Sequence, residues 1–492
     1  MILAIDQGTT STRALIFDEK AQIKGRGQVE LPQYYPQPGW VQHEPEEIWS
    51  TTVEAVRQAL ADGSIKPESL RAIGITNQRE TTIVWDRQTG KPIHPAIVWQ
   101  CRRSGQICDR LREEGLEQEF VQKTGLIIDP YFSATKVRWL LDNVEGAQQD
   151  AERGHLAFGT VDTWLIWKLT GGQVHVTDYT NASRTLLFNI HTRTWDDALL
   201  NHVRIPRSMM PQVKFSSVMY GKTNRPDLLP KPVTISGVAG DQQAALYGQY
   251  CFEPGQAKAT YGTGAFLLQH TGQRVARSEH GLLTTVAVDA TGGPAYALEG
   301  AVFNAGSAVQ WLRDGLGVIA NASESENYAV AVPDTGGVYF VPAFTGMGAP
   351  YWNMAMRGCI FGITRGTTRH HIIRATLESI AYQAADVLDM LAHDSKLDIP
   401  ELRVDGGAAR NNFLLQFQAD ISGIPVIRPT MQETTAAGAA LLAGIGVGLW
   451  NNPRQATALA QPEAVFEPKM SDDQRIALRE GWRRAVHAAA EF

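Results

Sequence analysis

The segment Ile2-Leu3-Ala4-Ile5-Asp6-Gln7-Gly8-Thr9-Thr10-Ser11-Thr12-Arg13-Ala14-Leu15-Ile16-Phe17 sets two short apolar strands about an acidic turn rich in glycine and hydroxyls. Such a hairpin brings a carboxylate, backbone N–H groups and hydroxyls to a place where a polyphosphate and its metal can sit. It is not a Walker A loop, because no G-x-x-x-x-G-K-[ST] follows a strand here. The arrangement suits a hairpin that pinches phosphates, with Asp6 on the metal side and Arg13 nearby. Taken alone, the segment reads equally well as an ordinary hairpin with a polar turn.

A chain of 492 residues is too long for one core and suggests two large domains or three ordinary ones. Its apolar share of 43% and charged share of 20% are those of a globular protein, neither disordered nor collagen-like. The net charge of -6 argues against a nucleic-acid partner, which calls for a basic face. The N-terminus lacks a basic stretch and meets Asp6 after four apolar residues, so no secretory signal is expected. The longest apolar run, 436–450, is short for a bilayer span and full of Gly and Ala. It reads as a closely packed core helix, and no membrane insertion is expected. Cys101, Cys108, Cys251 and Cys359 match neither a zinc spacing nor a disulfide framework, so a reduced, cytoplasmic protein is the expectation.

Residues 2–31 alternate like a strand meander, 46–60 shows helical spacing, and 70–76 reads as a buried strand leading into Asn77-Gln78-Arg79-Glu80. The order β-β-β-α-β is that of an α/β domain whose sheet begins antiparallel and turns mixed. Near the middle, Pro232–Gly240 reads as a strand ending in glycines and Asp241 as the start of a helix, where it suits an N-cap. Soon after, Thr260-Tyr261-Gly262-Thr263-Gly264-Ala265-Phe266 repeats the strand, Gly/Thr turn and strand of the N-terminal hairpin. This repeat points to two related domains facing each other across a cleft, 1–250 and 251–492. A third landmark, Asp405-Gly406-Gly407, runs from a strand toward a helix, as a nucleotide-binding turn or a plain βα turn would.

The hairpin 6–13, Gly74-Ile75-Thr76-Asn77-Gln78-Arg79-Glu80-Thr81, Ala239-Gly240-Asp241-Gln242-Gln243-Ala244, Tyr261-Gly262-Thr263-Gly264 and Asp405-Gly406-Gly407 together resemble the FGGY carbohydrate kinases. The likeness runs in order from residue 2 into the final helix. It implies two actin-like, ribonuclease-H-like α/β domains with the active site in the cleft between them. It further implies ATP- and Mg²⁺-dependent phosphorylation of glycerol to sn-glycerol 3-phosphate by a protein that is often a homo-oligomer in this family.

The resemblance assigns roles residue by residue. Asp241 matches the general base, a carboxylate being the economical acceptor for a hydroxyl proton. Arg79, Glu80, Tyr131 and Gln242 match hydroxyl-binding positions, and Trp99 with Phe266 the aromatic pair against the carbon chain. Thr9, Thr10, Ser11 and Arg13 match one phosphate hairpin, and Gly262, Thr263 and Gly264 the other. Gly306 and Gln310 match positions near the ribose and phosphates, Gly407 and Asn411 the adenine end, and Asp6 the Mg²⁺-side carboxylate. Two departures stand out. The segment 220–230 lacks the glycine run and the histidine by which some family members are regulated, so those controls are expected to be absent or altered. Asn353 also replaces a common Asp. The competing readings are an FGGY kinase for another polyol or sugar and an actin-like nucleotide switch.

Overall fold

A computed structural model describes residues 1–456 and 461–492. Two mixed sheets organise it. The first has six strands, in the order Ser217–Lys222, Thr234–Gly240, Ala72–Asn77, Ile2–Gln7, Ser11–Phe17, Ile23–Glu30. Its central strand Ile2–Gln7 pairs in parallel with Ala72–Asn77 and antiparallel with Ser11–Phe17. Ile2, Leu3, Ala4 and Ile5 are fully buried, which is what a continuous apolar run requires of a strand covered on both faces.

The second sheet has seven strands, in the order Leu283–Val288, Pro294–Val302, Ala265–Gly272, Ala257–Tyr261, Leu402–Asp405, Val426–Pro429, Pro462–Phe466. Here too a central strand, Ala257–Tyr261, opens an antiparallel meander on one side and takes parallel strands on the other. The plan is used twice. The Gly/Thr turn at 262–264 therefore echoes the turn at 8–11 because both join a central strand to its hairpin partner.

Each sheet's last parallel strand feeds a helix, Asp241–Gly248 after Thr234–Gly240 and Thr434–Gly446 after Val426–Pro429. The helix expected over 436–450 spans Thr434–Gly446, and its backbone is pressed onto the first sheet. A Cβ on Gly74 would lie 2.2 Å from the Ala439 carbonyl oxygen, and one on Gly237 would lie 2.3 Å from the Ala443 nitrogen. The two helices also cross each other in backbone contact. A Cβ on Gly438 would meet the Ala244 oxygen at 1.9 Å, and one on Gly248 the Thr434 oxygen at 2.0 Å. An element encoded in the second half of the chain thus forms part of the first half's core.

Between Ala72–Asn77 and Ser217–Lys222 the chain builds a separate apolar core containing Phe120, Phe158 and Leu187, which reaches Val286 and Tyr296 on the edge of the second sheet. This insertion carries Trp99, Tyr131 and Arg184. No described helix is long and apolar enough to cross a membrane.

Candidate active site

The parallel strands of the first sheet end level with one another, Gln7 beside Asn77 and Asn77 beside Gly240. The turn at 8–11, the run 78–80 and Asp241 therefore emerge from one edge. Loops at the carboxyl ends of strands are the usual binding place in open α/β sheets. In the second sheet Thr260 stands level with Asp405, so the turns at 262–264 and 406–407 share an edge in the same way.

At the first edge lies a buried network of charge. Arg79 donates from Nη1 to Glu299 Oε2 at 2.6 Å and from Nη2 to Glu299 Oε1 at 3.0 Å. Arg184 donates from Nη2 to the same Oε1 at 3.1 Å and from Nε to Glu80 Oε1 at 2.6 Å. None of the four side chains is more than 2% exposed. Burial works against ionisation of Glu299, but the guanidiniums of Arg184 and Arg79 win and hold it down at about 2. For Glu80 burial prevails over the same two cations and raises it. The adjacent Arg79 and Glu80 are 3.8 Å apart at closest approach, so each is fixed mainly by a distant partner rather than by the other. Glu80 takes φ +60°, unusual for a residue with a side chain. Its carbonyl oxygen accepts from Ser133 Oγ at 3.1 Å and Lys136 Nζ at 3.4 Å.

Asp241 is the open member of the group. Its side chain keeps 30% of its surface exposed, while Arg79 Nε lies 3.1 Å from Oδ1. The Gln242 backbone N–H also donates to Oδ1, at 2.7 Å. Burial pushes Asp241 above the usual carboxylate range, with Arg79 and the Gln242 N–H pulling the other way. The N-cap expected of Asp241 is not found: Gly240 occupies that position and Asp241 is the first helical residue, so its carboxylate is left for the cleft. Gln242 accepts from the buried Lys258, whose ammonium burial lowers to about 8.

The aromatic residues stand beside this net. The Trp99 and Tyr131 rings meet edge-on at 5.6 Å, and Trp99 Nε1 donates to Thr9 Oγ1 at 2.9 Å. That bond ties the aromatic pair to the turn at 8–11. Arg184 lies over the Tyr131 ring at 5.5 Å. Phe266 packs instead against Leu268 of its own strand and Leu246 of the helix Asp241–Gly248.

In the turn of the first hairpin, Thr10 is exposed and Thr9 and Ser11 are partly so. The opposing turn is braced by the helix Gly306–Asp314, with Gly306 N–H donating to the Gly262 carbonyl at 3.0 Å and Ser307 N–H to that of Thr263 at 3.0 Å. A Cβ on Gly306 would strike the Gly262 oxygen at 2.5 Å, so glycine is required there. Gln310, on the same helix, is exposed. Of the paired glycines, Gly406 is the constrained one, with φ +90° and the Tyr261 oxygen 2.5 Å from a built Cβ, whereas Gly407 has open space. Asn411 caps the helix Asn412–Ser422 and donates to Ser325 Oγ at 3.2 Å. Arg13 does not face the turn alone: its Nη1 pairs with Glu433 Oε2 at 3.2 Å, just before the helix Thr434–Gly446. Asp6, partly buried at the end of the central strand, is raised to about 7 by burial, opposed by Arg13 and reinforced by Asp241 and Glu433. A carboxylate so poorly compensated suits a divalent cation.

Glu299, Arg184 and Gln243, whose Oε1 accepts from Arg79 Nη1 at 3.2 Å, were not among the residues singled out from the sequence. Glu299 carried a usable signal, since it is the lone charge within the strand Pro294–Val302. Asn353 serves locally, its Oδ1 accepting from the N–H groups of Ala355 and Met356 at 3.0 and 3.1 Å.

Comparison with known proteins adds a second line of evidence. The "FGGY family of carbohydrate kinases, N-terminal domain" matches residues 1–248, and its C-terminal counterpart matches 257–447. The chain is 57% identical over 485 residues to glycerol kinase 2 of Thermotoga maritima, covering 99% of this chain and 98% of that one. It superposes on the crystal structure of Plasmodium falciparum glycerol kinase with ADP at a TM-score of 0.93, with 38% identity, covering 99% and 98%. A xylulose kinase from Lactobacillus acidophilus has the same fold at 21% identity and a TM-score of 0.88, covering 99% and 97%.

Proposed function

Because the chain belongs to the FGGY family of carbohydrate kinases, we propose that it transfers the γ-phosphoryl group of ATP to a terminal hydroxyl of glycerol, giving sn-glycerol 3-phosphate. The observation that carries this reading is the position of Asp241. It is the one partly open carboxylate of the buried net, oriented by Arg79 Nε and the Gln242 N–H. A base raised by burial accepts the hydroxyl proton more readily as the oxygen attacks phosphorus. Arg79 and Glu80 offer a donor and an acceptor to the triol, each held in place from behind by Glu299 and Arg184. Tyr131 and Gln242 offer further hydroxyl contacts. The Trp99–Tyr131 wall limits the length of polyol that fits.

The turns at 8–11 and 262–264 take the phosphates of ATP through backbone N–H groups and hydroxyls, and Gly407 and Asn411 lie toward the adenine. Mg²⁺, held on the Asp6 side, would offset the charge of the polyphosphate. We also read the chain as two domains, 1–250 and 251–492, with the helix Thr434–Gly446 of the second range packed into the first, and their closure excludes water from the transfer. A cytoplasmic homo-oligomer is the setting that the family likeness implies. The test is ADP release from ATP with a panel of polyols. Glycerol is expected to drive turnover that Asp241→Asn abolishes. A faster rate with xylulose or gluconate would overturn the substrate assignment, and a slow ATPase indifferent to glycerol would overturn the kinase reading.

A further inference from the structure

Away from the cleft, the loop before the strand Leu283–Val288 meets the last turn of the long helix Arg369–Ser395. His280 Nδ1 lies 2.7 Å from Asp394 Oδ1, and His393 Nδ1 lies 3.1 Å from the same oxygen. Their three ligand atoms fall within 4.8 Å of one another, the one such group among the described residues. Two imidazole nitrogens thus converge on a single carboxylate oxygen. The other oxygen, Oδ2, accepts from Ser278 Oγ. Ser278 Oγ itself accepts from the backbone N–H groups of His280 at 3.1 Å and Leu282 at 2.9 Å.

From this arrangement we infer a binding site for a divalent transition-metal ion of the Zn²⁺ class, held by His280, His393 and Asp394. The donor set decides the class. Two neutral imidazoles and one carboxylate match the borderline ions, whereas Mg²⁺ and Ca²⁺ take oxygen shells. Tetrahedral ligands about 2.1 Å from zinc stand roughly 3.4 Å apart, so the two separations from Asp394 Oδ1, 2.7 Å to His280 and 3.1 Å to His393, need to open by about 0.7 and 0.3 Å. The supporting shell is already present, because Ser278 engages Oδ2 and leaves Oδ1 to the metal. Access is open as well: the His393 side chain is 67% exposed and that of His280 38%, while Asp394 is 2% exposed and fixed. A water completes four-coordination. The ion would pin the loop 278–282 to the helix, and Leu283, next along the chain, pairs in register with Glu299.

The experiment is titration of the full, metal-stripped chain with CoCl₂, followed by visible absorption and competition with ZnCl₂, together with thermal unfolding in ZnCl₂. The expected result is a tetrahedral-type cobalt spectrum saturating at one ion per chain, displaced by zinc, and a zinc-dependent rise in melting temperature. Both signals are lost in His393→Gln, an exposed position where folding is safe, and cobalt binds roughly 10–100-fold more weakly in Ser278→Ala. Absence of the spectrum in the wild type, or its survival unchanged in both variants, would show that His280, His393 and Asp394 form a hydrogen-bonded cluster only.

Discussion

Replacing Glu299 by Gln tests the buried network most directly. The substitution keeps the shape and removes one charge, yet it leaves Arg79 Nη1 and Nη2 and Arg184 Nη2 sharing a single amide oxygen, with an NH₂ group set against guanidinium N–H donors. In the folded protein Glu299 is held at about 2 against an ordinary value of 4.5, a difference worth roughly 3 kcal/mol at 1.36 kcal/mol per unit. Because the carboxylate is fully buried, solvent screening does not reduce that figure, and it falls within the roughly 3–5 kcal/mol that breaking a buried ion pair costs. At about 2–4 °C per kcal/mol for a unit of 150–250 residues, the melting temperature at pH 7 is expected to drop by roughly 6–12 °C. The sign with pH follows from a depressed folded value. The stabilisation is present above 4.5 and lost as pH falls through 2, so the gap between wild type and variant narrows to about 2 kcal/mol by pH 3.5. Calorimetric scans of both proteins across pH, with the apparent KM for glycerol in parallel, check the reasoning. A melting shift under 2 °C, or one that keeps its size in acid, would refute it.

Asp241→Asn is expected to lower kcat roughly 10²–10⁴-fold in a coupled ADP assay while glycerol still protects the protein thermally. Asp6 carries the opposite sign from Glu299: its folded value is raised to about 7 from 3.8, so it costs stability as pH rises through that window. Asp6→Asn, although inactive, should therefore melt above the wild type at pH 8, with the advantage gone below pH 4. Gly438→Ala places a methyl 1.9 Å from the Ala244 carbonyl oxygen, backbone that cannot step aside. Destabilisation of about 1–3 kcal/mol is expected in urea melts, and an unchanged midpoint would mean that the two helices do not cross as described. Trp99→Phe removes the Nε1–H bond to Thr9 and should raise the KM for both glycerol and ATP, since one contact ties the two sides.

The amino-acid sequence by itself determined what local patterning can determine. The strand-turn-strand segments at 2–17 and 257–268, the acidic residue after the strand ending at Gly240, and the aromatic and polar runs around Trp99 and Tyr131 are all written in contiguous residues. The family likeness could therefore assign them before any coordinates. What only the tertiary structure decided is which groups hold those residues in place. Arg79 and Glu80 are neighbours in the sequence, but Arg79 is anchored on Glu299, 220 positions away, and Glu80 on Arg184, 104 positions away. Arg13 looked free to meet phosphate and is instead bridged to Glu433. The glycine-rich helix read as core proved to be core for the other half of the chain. The reason is common to all of these. Hydrophobic periodicity and turn chemistry act over a few residues and can be seen along the chain, whereas a charge or an apolar helix face takes whichever partner the packed chain brings to it from far along the sequence, and no local pattern records that choice.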